Sequence, residues 1–244
     1  MNLVIDIGNT RVKLAVFQGV EVLEIRSGEF KDLIEITVGL YGNYSISKII
    51  VSSVVDLEQA LRLKLEELVL VLYLDNTTSV PFKNNYKTPQ TLGVDRIALV
   101  AAASQRFPSQ NVLVIDAGTC ITYDFINEHN EFQGGSISPG VAMRYKSLNK
   151  FTGKLPLLEK EFNDNLVGKD TFSAIHSGVI HGVLFEILGV IKTYEQQFEK
   201  IQVVLSGGDS NFLAKRLKSS IFVEPNFLLY GLNYILNYNN NNVE

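Results

Sequence analysis

Apolar and polar residues follow a β-strand pattern at the start of the chain. Residues 2–7 are mostly apolar, and residues 10–17 place Val12, Leu14 and Val16 on one face. Because successive side chains of a strand point to opposite faces, these spacings and a looser alternation at 20–27 predict a three-stranded meander. Beyond it, the pattern predicts a helix at 31–41, a strand at 48–54, a helix capped by Asp56 at 56–68 and a strand at 69–74.

The same order of elements returns in the second half of the chain. Residues 3–8 read Leu-Val-Ile-Asp-Ile-Gly and residues 113–118 read Leu-Val-Ile-Asp-Ala-Gly, so five of six positions are identical. A repeat separated by nearly half of the chain indicates one duplicated, domain-sized unit. The pattern predicts strands at 111–117, 119–126 and 131–137, a helix from 138, a long interrupted helical region at 169–200, a strand at 201–206, a helix from 209, a strand near 221 and a helix from 225.

We therefore predict two domains, an N-terminal one at 1–108 and a C-terminal one at 109–244. The boundary lies near Phe107 and Pro108, where the second series of strands is about to begin. The Asn-rich stretch at 237–242 is predicted to be frayed.

Composition and charge exclude several classes of function. The chain has 244 residues, a net charge of −4 and one cysteine. It carries no basic run of the kind that binds nucleic acid or an anionic membrane, and one cysteine cannot form an internal disulfide. Its clearest apolar run, residues 68–74, is about a third of the length that spans a membrane. We expect a cytoplasmic protein that contacts neither nucleic acid nor membrane.

Three glycine loops at strand ends carry the candidate chemistry. Two strands end in Asp-x-Gly, at Asp6 and Asp116, and a third ends in Ser206-Gly207-Gly208. Glycine allows a close approach of backbone to a ligand, and backbone N–H groups at such turns bind anions. A carboxylate repels phosphate directly but can hold a cation that in turn holds the phosphate. The duplicated loops therefore predict a phosphate clamp.

Five motifs together resemble type III pantothenate kinase. They begin at Asp6, Gly93, Asp116, Gly134 and Ser206, and read Asp-Ile-Gly-Asn-Thr, Gly-Val-Asp-Arg, Asp-Ala-Gly-Thr, Gly-Gly-Ser-Ile-Ser-Pro-Gly and Ser-Gly-Gly. The resemblance implies an α/β fold of two duplicated ribonuclease H-like domains, the actin-like ATPase superfold, with a cleft between them. It also implies phosphorylation of pantothenate by ATP, the first step of coenzyme A biosynthesis.

The resemblance implies roles for individual residues. Asp95 would be the general base, Asp116 would hold a monovalent cation (K⁺ or NH₄⁺), and Asp6 would lie near the Mg²⁺ that accompanies ATP. Thr171 would reach pantothenate across the interface of a homodimer. The residues implied to bind ATP are Asp6, Ile7, Gly8, Asn9, Thr10, Arg11, Val12, Lys13, Thr119, Ser206, Gly207 and Gly208. Those implied to bind pantothenate are Tyr86, Gly93, Val94, Asp95, Arg96 and Thr171.

Other interpretations stay open. Asp95 also has the position of a helix-capping carboxylate, and Arg96 could form a surface ion pair. The chain could be another small-molecule kinase of this superfold, or a catalytically silent regulatory or accessory protein. The presence of Asp6, Asp95 and Asp116 favours an enzyme. Thr88, where the family usually has Asn before Pro, is a departure on the pantothenate side.

Overall fold

The computed structural model describes residues 1–217 and 220–241, and its two mixed sheets and seven described helices confirm the predicted α/β class. The strands are β1 Asn2–Ile7, β2 Val12–Gln18, β3 Glu21–Gly28, β4 Lys48–Ser53, β5 Leu70–Tyr73, β6 Lys83–Asn84, β7 Val112–Ala117, β8 Cys120–Ile126, β9 Glu131–Pro139, β10 Gln202–Ser206 and β11 Phe222–Val223. The helices are α1 Leu33–Asn43, α2 Gln59–Glu66, α3 Val94–Arg106, α4 Val141–Lys150, α5 Thr171–Gln197, α6 Ser210–Ala214 and α7 Phe227–Asn241.

Contacts within the chain divide it into two compact units. Unit 1 contains residues 1–109, residues 128–133 and α7, whereas unit 2 contains Gln110–Asn127 and Gly134–Pro225. These contact units are interleaved along the chain, and α7 packs with the first of them. The division into domains at 1–108 and 109–244 stays a prediction.

Both sheets repeat one topology. The first has the order β3-β2-β1-β4-β5, with β1 antiparallel to β2 and parallel to β4. The second has the order β11-β10-β7-β8-β9-β6, with β7 antiparallel to β8 and parallel to β10. The short β6, which the sequence pattern does not predict, pairs with the start of β9. The predicted duplication is thus a repeated sheet.

The alternation of β1 and β7 decides which face carries the chemistry. Leu3, Ile5 and Ile7 pack into a core with α1 and α2. Their counterparts Leu113 and Ile115 pack into a second core with α5. Since side chains alternate along a strand, the aspartates between these apolar residues point to the opposite face of each sheet.

Several local predictions were wrong. Helix α2 begins at Gln59 after Glu58, so Asp56 does not cap it, and β9 continues through Pro139 before α4. The predicted interruption of the long helix is absent, because α5 runs unbroken after a capping box formed by Asp170 and Ser173. Helix α7 extends through the predicted frayed stretch to 241, and Asn242 lies outside the described residues.

Helix α5 is also long and apolar enough to cross a membrane. An 18-residue window of it has a mean hydropathy of 1.7, although 44% of that window is buried. Sequence analysis did not find this stretch because polar and small residues divide its apolar runs. In unit 2 its residues Ile180, Val183 and Ile187 belong to the core, which accounts for its composition.

A glycine makes the crossing of α3 and α7 possible. A Cβ atom at Gly231 of α7 would overlap the carbonyl group of Ala98 in α3, and would lie 3.0 Å from the backbone nitrogen of Ala102. The two backbones therefore approach more closely than any side chain allows. This contact fixes α3, whose first turn carries Asp95.

We expect Gly231→Ala to lower the free energy of unfolding by about 3 kcal/mol or more, because α7 must shift away from α3. The matched control is Gly39→Ala in α1, where a Cβ would meet nothing within 4 Å. The control should be neutral or stabilising by up to about 1 kcal/mol. Urea unfolding measures both, and equal effects of the two substitutions would contradict the close crossing.

Candidate functional site

In unit 1, the structure brings Asp6, Lys13 and Asp95 close together. Asp6 ends β1, Lys13 is its cross-strand neighbour on β2, and Asp95 lies in the first turn of α3. Burial and the charge of Asp95 raise the pKa of Asp6 to about 7, although the ammonium of Lys13 acts in the opposite direction. Asn226 orients Lys13, whose Nζ donates to its Oδ1 at 3.1 Å. The carboxylates of Asp6 and Asp95 and the ammonium of Lys13 thus form one cluster of charged groups.

The β1–β2 turn follows directly from Asp6. The amide of Gly8 donates to the carbonyl of Arg11 at 3.0 Å, which closes the turn rather than leaving that N–H for a ligand. Ile7 and Val12 are fully buried in the core of unit 1, so only their backbone can contact a nucleotide. Asn9, Thr10 and Arg11 are exposed at the tip.

Asp95 interacts with the start of its own helix. Gly93 is the N-cap of α3, Val94 its first residue, and Asp95 Oδ1 accepts from the backbone N–H of Arg96 at 2.8 Å. The capping contact expected as an alternative is therefore present. It uses one carboxylate oxygen, and the charge of Asp95 also acts on Asp6, whose pKa it raises.

Arg96 lies against a pair of stacked aromatic rings. Its guanidinium carbon lies 5.4 Å from the ring centroid of Tyr86 and 5.9 Å from that of Phe132, and the two rings stack at 6.0 Å. Arg96 is only 4% exposed, so it does not lie at the surface. Such desolvated contacts between a cation and an aromatic face stabilise by about 2 kcal/mol. The nearby Thr88 hydroxyl is hydrogen-bonded to that of Thr91 at 2.8 Å.

In unit 2, Asp116 ends β7 beside Ser206 at the end of β10. Gly207 follows with a φ of 91°, and a Cβ there would lie 2.5 Å from both Asp116 Oδ1 and the carbonyl oxygen of Ala117. Glycine is needed at this position for its conformation and for the close approach. Past Gly208, the amide of Asp209 donates to the Ala117 carbonyl at 2.9 Å, which ties the two loops together.

The Gly134–Gly140 motif supports the same loop. A Cβ at Gly140 would overlap the carbonyl oxygens of Gly118 and Thr119, so this glycine lets β9 and α4 approach the β7–β8 turn. Ser138 donates to Glu186 of α5 at 3.1 Å, and Arg144 of α4 donates to the same carboxylate at 2.5 Å. Although burial acts to raise it, these hydrogen bonds hold the pKa of Glu186 below its ordinary value.

Thr171 is the first residue of α5 and lies at the edge of a groove between α4 and α5. The next side chain, Phe172, is 57% exposed, and several other large apolar side chains of unit 2 are exposed as well. These are Ile137, Met143, Phe151, Leu157, Leu166, Val167 and Phe185. Unit 2 therefore has an apolar surface beside Thr171.

Comparison with known proteins identifies the family. The sequence model of type III pantothenate kinase matches residues 2–193. A type III pantothenate kinase of Christiangramia forsetii is 50% identical over 240 residues, which cover 98% of this chain and 99% of that protein. The chain belongs to the type III pantothenate kinase family. Membership makes it a kinase, and the family's reaction is the ATP-dependent phosphorylation of pantothenate for coenzyme A biosynthesis.

Solved structures support the fold of this kinase. A candidate Baf family transcriptional activator from Campylobacter jejuni aligns with a TM-score of 0.66 at 23% identity, over 98% of this chain and 99% of that one. A candidate N-acetylmannosamine kinase from Listeria monocytogenes aligns with a TM-score of 0.56 at 15% identity, over 98% and 99%. These likenesses agree with the actin-like superfold that the resemblance implied.

Sequence reasoning missed several residues around the kinase site. Phe132 stacks on Tyr86 and Asn226 holds Lys13, yet both lie far along the chain from their partners and in no motif. Within residues 1–217 and 220–241, no three His, Cys, Asp or Glu side chains form a metal-binding group. The carboxylates of Asp6 and Asp116 would therefore hold a cation only together with other oxygen ligands.

The raised pKa of Asp6 predicts how stability depends on pH. The folded pKa is about 7 and the unfolded value 3.8, so the contribution of Asp6 to stability is greatest below the unfolded pKa and is lost as pH rises through 7. We expect Asp6→Asn in the ligand-free kinase to stabilise by about 1–2 kcal/mol at pH 8, after allowance for partial exposure, and not at pH 4. Thermal unfolding measures this difference.

Asp75→Asn is the control of opposite sign for this experiment. Hydrogen bonds from Thr77 and Thr78 lower the pKa of Asp75, so its ionised form stabilises the folded state above the unfolded pKa. Its replacement should lower stability at pH 8. A destabilising effect of Asp6→Asn at pH 8 would contradict the raised pKa of Asp6.

Proposed function

We propose that this protein is a soluble, cytoplasmic pantothenate kinase in which Asp95 is the general base and Asp116 holds a monovalent cation. The observation that carries the proposal is the proximity of Asp6, Lys13 and Asp95 in unit 1, in a chain of this family. A regulatory protein without catalysis would have no need of a half-buried carboxylate with a raised pKa there.

Asp95 is suited to accept the proton of the pantothenate hydroxyl. One carboxylate oxygen accepts from the N–H of Arg96, which orients the side chain. An ordinary carboxylate is a weak base towards an alcohol, but phosphoryl transfer has a loose transition state in which positioning supplies most of the catalysis.

The residues proposed to bind ATP lie on the β1–β2 turn of unit 1 and on the β7–β8 and β10–α6 loops of unit 2. Lys13 neutralises phosphate charge, and Thr119 and the backbone of Gly207 and Gly208 bind phosphate or adenosine. Asp6 would hold Mg²⁺ through water, and the ion would supply positive charge against the transferring phosphoryl group. Asp6 is suited to this role because a nearby cation stabilises the ionised form of a carboxylate that is otherwise costly to ionise.

The monovalent cation would be held by Asp116. The fit rests on the donor chemistry of this place, because β8 presents the hydroxyl oxygen of Thr122 in register with the Asp116 carboxylate. Hydroxyl and carboxylate oxygens are ligands that hard cations prefer. The cation would supply the positive charge that lets the anionic phosphates of ATP lie near Asp116.

Pantothenate would bind along Tyr86 and the Gly93–Arg96 turn. Arg96 is fixed by two rings, and its planar guanidinium can pair with the pantothenate carboxylate or with the transferring group. We further propose a homodimer in which Thr171 completes the pantothenate site of the partner. The exposed apolar surface around Phe172 supports this, since isolated proteins rarely leave such a surface uncovered.

The first test is a coupled assay of ADP release with and without pantothenate, in potassium, ammonium and sodium buffers. We expect pantothenate-dependent turnover that requires potassium or ammonium. Asp95→Asn keeps the acceptor for the Arg96 N–H, so it should lower kcat by about 10²–10⁴ while ATP still binds. The control Asp32→Asn alters another carboxylate that accepts a backbone N–H near a helix start, and should keep full turnover. Near-normal turnover of Asp95→Asn would leave Asp95 as a helix cap only.

The second test addresses the dimer. Sedimentation velocity should give twice the 27.2 kDa mass of the chain. Phe172→Glu should yield monomers whose KM for pantothenate rises about tenfold or more, with little change for ATP, since interface aromatics often dominate association. Phe30→Glu alters an exposed phenylalanine of unit 1 and should remain dimeric. A fully active wild-type monomer would contradict the shared site.

A further inference from the structure

The duplicated units contain two versions of one carboxylate site. In unit 1, Asp6 pairs in register with Lys13 on the antiparallel strand β2 and with Ser52 on the parallel strand β4. Directly opposed side chains of neighbouring strands lie on one face with Cβ atoms about 5 Å apart. The ammonium of Lys13 therefore acts on the carboxylate, as its lowering effect on the pKa of Asp6 indicates.

Unit 2 repeats this arrangement with one change. Asp116 pairs in register with Ser206 on the parallel strand β10, so the serine is retained. On the antiparallel strand β8 the register partner is Thr122, where unit 1 has lysine. The correspondence between Lys13 and Thr122 is not visible in the sequence, because the β7–β8 turn is one residue shorter than the β1–β2 turn. Adding the distance between the two repeated motifs to position 13 gives Tyr123, the neighbour of Thr122.

The hydroxyl of Thr122 is buried without a hydrogen bond to the rest of the described chain. The residue is 7% exposed, and within residues 1–217 and 220–241 its Oγ1 atom has no hydrogen-bond partner. A buried hydroxyl that stays unsatisfied costs about 1–3 kcal/mol. A bound ligand at this face would remove that cost, and a hydroxyl oxygen next to a carboxylate selects a cation.

We propose that the monovalent cation at Asp116 takes the place that the ammonium of Lys13 has in unit 1, and that Thr122 is one of its ligands. The inference rests on the proposed cation requirement and deepens it. Potassium and ammonium are single positive charges, as a lysine ammonium is. A covalently attached charge at 122 should therefore replace the free ion.

Thr122→Lys tests this replacement. The new ammonium would face Asp116 in register and Asp124 two residues along the same face of β8, so the charge would be buried beside carboxylates. Thr122→Met is the matched control, because it adds a chain of similar length without the charge. Thr122→Val removes only the hydroxyl, and it tests the proposal even if the longer side chains impair folding.

The readout is the affinity for ATP, measured by calorimetry in tetramethylammonium chloride and in potassium chloride. We expect wild type to bind ATP about tenfold more tightly with potassium, and Thr122→Lys to bind equally in both salts. Thr122→Met should bind weakly in both, and Thr122→Val should need about tenfold more potassium. Circular dichroism confirms that each variant is folded.

Different outcomes overturn different parts. If the affinity of the wild-type protein for ATP does not depend on potassium, both this inference and the proposed cation site fail. The kinase reaction is then still tested separately by pantothenate-dependent turnover. If wild type depends on potassium but Thr122→Val has an unchanged requirement, only the role of Thr122 fails. A Thr122→Lys protein that folds and remains as dependent on potassium as wild type would also overturn the inference.

Discussion

Burial of a carboxylate at the end of β1 is the constraint on which the site in unit 1 depends. Asp6 cannot ionise cheaply there, because it loses water and lies near a second carboxylate. The surrounding residues reduce this cost only in part, through Lys13 and the asparagine that orients it. This local instability is one that the proposed bound cation would relieve, so cation binding and the geometry of the site would depend on the same carboxylate.

Unit 2 has the same sheet topology but surrounds its carboxylate, Asp116, with different residues. Its loop glycines allow backbone groups to approach Asp116 more closely than side chains could, and the Gly134–Gly140 motif supports the turn from behind. Duplication therefore preserved the position of the carboxylate while the residues around it diverged. The repeated topology places a carboxylate at the same position in each unit. The side chains paired with it on the neighbouring strands then differ between the units, and so does the chemistry.

The sequence predicted the strands near the site better than the long-range packing. The apolar pattern placed β1 and the duplicated motifs correctly, since strand alternation and turn glycines are local signals. The helical region at 169–200 was predicted, but its interruption was wrong, because the packing of the buried face of α5 keeps the helix continuous. The contacts of Phe132 with Arg96, and of α7 with α3, join distant parts of the chain. Such contacts cannot be predicted from the periodic pattern of apolar and polar residues, which is local.

The membership of α7 in unit 1 has a consequence for synthesis on the ribosome. All residues of unit 2 emerge before α7 does, although unit 1 begins first. Unit 1 therefore cannot cover the apolar side of α3 until α7 has also been synthesised, so the unit that begins first is not completed before the other. A chain that stops before α7 would leave that side of α3 open to water and prone to aggregate.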